Sequence, residues 1–137
     1  MGELGVSVVS VKILIQNREG KYLLQMRDNR PDALYPLQWG LWGGGVDEID
    51  ASPQTAACRE VQEELGLTVS EADMEHLKTI PLQNEKEEAI FKYQKPVVWG
   101  EFVVNEGAGA AFFTKDEMLR IPLAPSPNRA IEHGLIK

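Results

Sequence analysis

Three glutamates, Glu60, Glu63 and Glu64, fall within a five-residue stretch, with Arg59 directly before them. On a helix, residues three and four apart share a face, so the three carboxylates come together and Arg59 lies beside Glu63 one turn away. Such a group is one of two things. It is a solvated charged face, where each like-charge pair costs only a few tenths of a kcal/mol, or it is a set of oxygen donors for a hard divalent cation such as Mg2+ or Mn2+. A cation held in this way neutralises phosphate charge and lowers the pKa of water, so that a neighbouring carboxylate can take a proton from it.

The elements around the cluster decide whether it is positioned. Ser52 and Pro53 form an N-cap and first-turn pair, and Gly66 stands where a C-cap belongs, so the spacing predicts a helix over 53–65. Upstream, Gly43, Gly44 and Gly45 carry no side chain and let a ligand or a neighbouring group approach the backbone closely. Residues 6–15 are rich in β-branched types, the turn chemistry of Asn17 to Gly20 follows, and an apolar run resumes at 22–26, which reads as a hairpin. The stretch 27–37, with Pro31 and Pro36, reads as a loop leading into a short segment at 39–42. Strands are expected at 75–82, 89–93 and 97–104, with the polar run 83–88 as a loop and a short strand at Phe112 and Phe113. Thr114 and Glu117 have capping-box spacing, and a last helix is expected over 128–133. Strands flanking a central helix, with a further helix late in the chain, indicate α+β architecture.

The glycine run, Arg59-Glu60, Glu63-Glu64 and the closing Gly66-Leu67 together resemble the signature of the Nudix hydrolase family, G-x5-E-x7-R-E-U-x-E-E-x-G-U, where U is a bulky aliphatic residue. It maps without gaps onto Gly45, Arg59, Glu60, Val61, Glu63, Glu64, Gly66 and Leu67. One position departs: Ala51 stands where the family has its first glutamate, with Asp50 one residue earlier. The likeness extends to Arg27 at the end of an apolar strand, to the Glu106-Gly107 loop, and to the aromatic-acidic segment 112–118. The resemblance implies an α/β/α sandwich with a mixed β-sheet between helices, forming a single domain over 1–137. It also implies metal-dependent cleavage of a diphosphate linkage in a nucleoside triphosphate or another nucleoside diphosphate linked to a moiety X. By the same resemblance, the metal ligands are the Gly45 carbonyl, Glu60, Glu64, Glu63 and Glu106, with Mg2+ or Mn2+ as cofactor. Arg59 orients Glu63 or Glu60. The general base is Glu60 or Glu106, and for Glu106 a plain turn residue is the competing reading.

Candidate substrate contacts are Gly44, Asn128 through its amide, and Arg27, which either binds phosphate or base or pairs with Asp28 or Asp32. Nucleotide sugars of the ADP-ribose type are an alternative substrate class. Ala51 leaves open a nucleotide-sensing module that does not cut, and an isomerase on the same fold is a further reading. Related proteins are often homodimers, which makes a homodimer compatible with the sequence.

The bulk properties agree. At 137 residues and 43% hydrophobic, the chain suits one core. A formal net charge of -7 without a basic cluster argues against polymeric nucleic acid or an anionic membrane as partner. The single Cys58 and an N-terminus without leader features point to a cytoplasmic protein, and no apolar run is long enough to span a bilayer. Cys58 reads as a buried small residue in the helix, His76 and His133 as structural, and Trp39, Trp42, Trp99, Tyr35 and Phe91 as core more often than base-stacking residues.

Overall fold

The computed structural model describes residues 7–137, so Val6, the first residue of the expected leading strand, lies outside the described residues. Its elements run β1 (Val8–Leu14), β2 (Tyr22–Met26), β3 (Trp39–Gly40), β4 (Trp42–Gly45), α1 (Pro53–Leu65), β5 (Met74–Pro81), β6 (Glu87–Tyr93), β7 (Gly109–Phe113), α2 (Lys115–Met118) and α3 (Pro125–Glu132). A four-stranded sheet has the order β4-β1-β6-β5, and a three-stranded sheet the order β3-β2-β7. The larger sheet is mixed: β1 runs parallel to β6, while β4 and β5 are antiparallel to their neighbours. This is the α+β architecture with a mixed sheet between helices that the sequence implies.

Period-two burial in β1 divides the core in two. Val11, Ile13 and Ile15 pack with Trp42, Ala89 and Phe91 under Ala56, Ala57, Val61 and Leu65 of α1. Leu14 and Ile90 face the opposite side, where Leu24, Met118, Ala130 and Ile136 cover them. Each such aliphatic side chain contributes about 1.5–3 kcal/mol on full burial. Helix α1 starts and stops where the sequence indicates: Ser52 accepts the Thr55 N–H, Pro53 occupies the first turn, and Gly66 adopts the left-handed conformation at φ 68°. The Thr114–Glu117 capping box is complete. Among the described residues, no helix is long and apolar enough to cross a membrane.

Three expectations are corrected. The turn at Asn17 to Gly20 forms, but β1 and β2 separate into different sheets and share only the Gln16–Tyr22 bridge, so no hairpin ladder follows. Residues 97–104 form no strand. Their apolar members Val97 and Phe102 are buried against the α1 side of the core, and the backbone is used differently. Val103 N–H donates to the Leu65 carbonyl and Asn105 N–H to the Glu64 carbonyl, satisfying orphan acceptors at the end of α1. The apolar pattern reports burial here and not pairing. The final helix begins at Pro125, three residues before its expected start.

Past the buried Trp42, strand β4 depends on glycine. A Cβ on Gly43 would lie 2.1 Å from the Val11 carbonyl oxygen, and its φ of +135° is itself unfavourable for other residues. Gly109, by contrast, has open space around a built Cβ. In urea denaturation, Gly43→Ala is therefore expected to cost more than about 4 kcal/mol or abolish folding, and Gly109→Ala to change stability by no more than about 0.5–1 kcal/mol.

Candidate active site

The buried stripe of α1 contains Ala56, Ala57, Glu60, Val61, Glu64 and Leu65, so two carboxylates occupy positions that helical periodicity assigns to core. Glu60 is 8% exposed and Glu64 3%. What they meet is the glycine strand. Gly43 N–H donates to Glu64 Oε1 at 2.8 Å, and a Cβ on Gly44 would lie 2.7 Å from Glu60 Oε1. Glu63 points outward, its side chain 58% exposed. The cluster of three thus divides into two inward carboxylates and one at the rim.

Arg59 links the rim to the interior. Its Nε and Nη2 donate to the two oxygens of Asp50 at 3.0 and 2.9 Å, Nη2 also donates to the Gly45 carbonyl at 3.0 Å, and Nη1 reaches Glu60 at 3.1 Å and Glu63 at 3.2 Å. The Asp50 side chain is only 2% exposed, and its loop is closed by the Asp47 N–H on Asp50 Oδ2. The hydrogen bonds from Arg59 hold the Asp50 carboxyl below its ordinary pKa, and Arg59, bonded first of all to Asp50, is held above its own. Asp50 thereby presents a carboxylate to Arg59 while Ala51 is exposed. The Gly45 carbonyl already accepts from Arg59, and an ion bound there would share it.

Glu106 comes to the site on the segment that caps α1. Besides the Val103 and Asn105 amide bonds, Asn105 Nδ2 donates to the Glu63 carbonyl. Gln25 Nε2 donates to the Glu106 carbonyl at 2.9 Å, and Gln25 is 5% exposed. A Cβ on Gly107 would lie 2.7 Å from the Met26 carbonyl oxygen, so only glycine lets the loop sit this close to β2. The result sets Glu106 against Glu64. Burial first, and then the opposing Glu106 carboxyl, push Glu64 up to about 9; burial also raises Glu60, against the pull of Arg59.

Glu64, Glu106, Gly43 and Gly44 line one wall of a cavity of about 320 Å³, and Lys12, Arg27 and Arg30 contribute cations to the rest of it. Arg27 does not pair with Asp28 or Asp32. Arg30 takes both, at 3.5 and 4.0 Å, while Arg27 Nε donates to the Leu34 carbonyl at 2.6 Å. Asn128 lies apart, exposed on α3 and not on the cavity wall. Lys12, Gln25 and Arg30 were not identified from sequence. A lone Gln inside the apolar run 22–26 and a lone Lys inside 8–14 are the signals that mark two of them. Trp42 and Phe91 are fully buried, Tyr35 and Trp99 are exposed, and Cys58 is partly buried in α1.

The donor set is all oxygen, which suits Mg2+ or Mn2+. Glu60 has the Arg59 guanidinium beside it, whereas Glu64, buried and faced by Glu106, has no ion pair with a cationic side chain among the described residues. Among the described residues, no three acidic, His or Cys side chains enclose an ion by themselves. A bound cation would therefore complete its shell with backbone carbonyl, water or substrate oxygens, as Mg2+ commonly does.

The chain matches the NUDIX domain model over residues 6–133. It is 30% identical over 125 residues to the CTP pyrophosphohydrolase of Escherichia coli K12, covering 88% of this chain and 87% of that protein. Its fold resembles the MutT protein of Methanosarcina mazei Go1, with a TM-score of 0.71 at 24% identity over 96% of this chain and 95% of the other. It also resembles the NUDIX domain of Shewanella oneidensis NrtR, whose structure holds ADP ribose, with a TM-score of 0.69 at 18% identity over 98% and 88%.

The raised Glu64 pKa has a sign that can be tested. A carboxyl whose folded pKa lies near 9, against 4.5 in the ordinary case, stabilises the protein fully below about 4.5 and loses that contribution as pH rises toward 9. In EDTA, the melting temperature is expected to fall across this window. Glu64→Gln should show a shallower decline, the residual slope coming from Glu60; identical slopes would refute the assignment.

Proposed function

Because the chain belongs to the Nudix family and is a pyrophosphohydrolase by that membership, we propose that its single domain over 1–137 hydrolyses the diphosphate linkage of a nucleoside triphosphate or similar nucleoside-diphosphate-X compound with Mg2+ or Mn2+. One observation carries the reading: buried Glu60 and Glu64 abut the glycines Gly44 and Gly43 of β4, and Glu64 faces a cavity lined by Lys12, Arg27 and Arg30. Glu60, Glu64 and Glu106 are the residues that would hold the cation, with a glycine-turn carbonyl, at Gly45 or its neighbour Gly44, and with Glu63 at the rim. Bound there, the cation supplies neutralisation of diphosphate charge and Lewis-acid activation of water.

The chain's own residues do the rest. Lys12, Arg27 and Arg30 bind phosphate oxygens, a planar guanidinium such as that of Arg27 being suited to a bidentate contact. The bare edge of Gly43 and Gly44 allows the phosphate chain to lie against the backbone. Glu60 takes the proton of the attacking water, Glu106 being the competing base; water adds across the P–O–P bond and two phosphate-bearing products leave. Arg59, clamped by Asp50, holds Glu60 in orientation. The bidentate Asp50–Arg59 pair weakens the motive for a nucleotide sensor that does not cut, because the carboxylate missing at Ala51 is supplied one residue earlier. The substrate named for the Escherichia coli relative supports a nucleoside triphosphate over a nucleotide sugar.

Two measurements test this. Assayed for phosphate or pyrophosphate release across a nucleotide panel with Mg2+, Glu60→Gln and Glu64→Gln are expected to lose at least about a hundredfold in kcat, and chelation should abolish activity of the parent protein. No turnover of any nucleotide by the parent would sink the proposal. Asp50→Ala should lower kcat/KM by roughly 10–100-fold, as loss of a group supporting a metal site does, and adding Ala51→Glu to it should restore part of that loss. No rescue and no loss would place the clamp outside the chemistry.

A further inference from the structure

A second cavity, of about 180 Å³, adjoins the first and shares Lys12, Arg27 and Leu34 with it. Glu88, Ser126 and Arg129 form its polar wall, with Tyr35 at its edge. None of the α1 glutamates reaches it. A substrate with phosphates in the first cavity would extend its remaining moiety into the second.

The chemistry of that wall is particular. Glu88 is 3% exposed; one of its oxygens accepts from Ser10 Oγ at 2.8 Å and the other from Arg129 Nη2 at 2.8 Å. Arg129 Nε is buried without a hydrogen-bond partner. Ser126, 7% exposed, accepts the Leu41 N–H through Oγ and keeps its own proton to donate. As a way of attaching α3 to the sheet, a buried ion pair is no better than apolar packing, because desolvation offsets the attraction. In the wall of a concavity next to a reaction site, with Arg129 Nε left unpartnered, such a pair is placed to meet a ligand.

A carboxylate only accepts hydrogen bonds, and each Glu88 oxygen retains lone-pair capacity beyond the bond it makes. Arg129 and Lys12 have only donors to offer, and the Ser126 hydroxyl keeps its proton and one lone pair. The complementary ligand edge carries an amino donor beside a ring acceptor. Cytosine and adenine have that edge. Uracil and hypoxanthine place a carbonyl where the amino group would be, setting acceptor against acceptor at Glu88.

Resting on the hydrolytic reading above, we propose that this second cavity is the base-reading site and that Glu88, held by Arg129 and Ser10, selects the amino-donor and ring-acceptor edge that cytosine and adenine share. Asn128, the residue singled out from sequence for base contact, is exposed and lines neither cavity.

The test compares kcat/KM for CTP with UTP and for ATP with ITP, pairs that differ at this one edge. The parent protein is expected to favour the amino member of each pair by about tenfold or more, the discrimination a single well-made base contact gives. Glu88→Gln, whose amide both donates and accepts, should bring the ratios toward unity. A pair that serves only to hold α3 would lower the melting temperature and all four kcat/KM values together with unchanged ratios, which overturns the proposal, as does equal use of both members by the parent. Should Glu88→Gln fail to fold, Ser10→Ala removes one hydrogen bond to the carboxylate and should narrow the same ratios; unchanged ratios again overturn it. Binding of CMP and UMP by calorimetry separates the two levels of the account. Preference for CMP without turnover of any triphosphate contradicts hydrolysis and keeps base reading, and equal affinity contradicts base reading whether or not hydrolysis occurs.

Discussion

The approach of helix α1 to the glycine segment Gly43–Gly45 of β4 is the constraint on which the rest of the molecule depends. The Glu60 carboxylate occupies space where a Cβ on Gly44 would project, and the Gly43 amide holds Glu64. A larger residue at Gly44 would drive the Glu60 carboxylate and α1 away from the sheet, and one at Gly43 would collide with the backbone of β1 and break its pairing with β4. Close contact also opens the β4 edge: Lys12, on the face of β1 away from α1, reaches the same cavity as Glu64 because no β4 side chain intervenes. Acidic groups from one layer and cations from the other thus meet across bare backbone.

This arrangement opposes stability to function. Glu60 and Glu64 lie in the stripe of α1 that would otherwise be apolar, and burial raises the pKa of both. The protein tolerates them because the flanking positions Ala56, Ala57, Val61 and Leu65 bury well and because both ends of the helix are satisfied, by Ser52 and by the segment carrying Glu106. That segment does two things at once, accepting the task of capping α1 and delivering a third carboxylate to Glu64. Asp50 makes a similar double contribution, closing its own turn and clamping Arg59.

Much of this was legible in the chain. Helix α1 declared its limits through Ser52, Pro53 and Gly66, and the capping box of α2 through Thr114 and Glu117, because caps are local and chemically specific. The carboxylate cluster was visible as a motif, but only packing separates inward Glu60 and Glu64 from outward Glu63. Residues 97–104 read as a strand since burial of Val97 and Phe102 leaves the same apolar signature as pairing, and the hairpin at 17–20 misled because a local turn does not dictate which sheet each arm joins. Lys12, Gln25, Glu88 and Arg129 escaped notice for a related reason. Their partners lie far away in sequence, as the 81-residue separation of Gln25 and Glu106 illustrates; a polar residue interrupting an apolar run marks Gln25 and Lys12 as unusual without saying what they meet.

Glu64 is the buried carboxyl on which cation binding at this site would turn. Carbon-13 NMR of the glutamate side-chain carboxyls, titrated with pH in EDTA and again with Mg2+, reads this directly, with Glu64→Gln identifying the resonance. The expected result is titration near 9 without the ion and a downward shift of several units with it, since a bound cation favours the ionised form. Titration close to the ordinary carboxylate value in EDTA, or a curve that Mg2+ leaves in place, would contradict the claim that the glycine strand and α1 build a metal site.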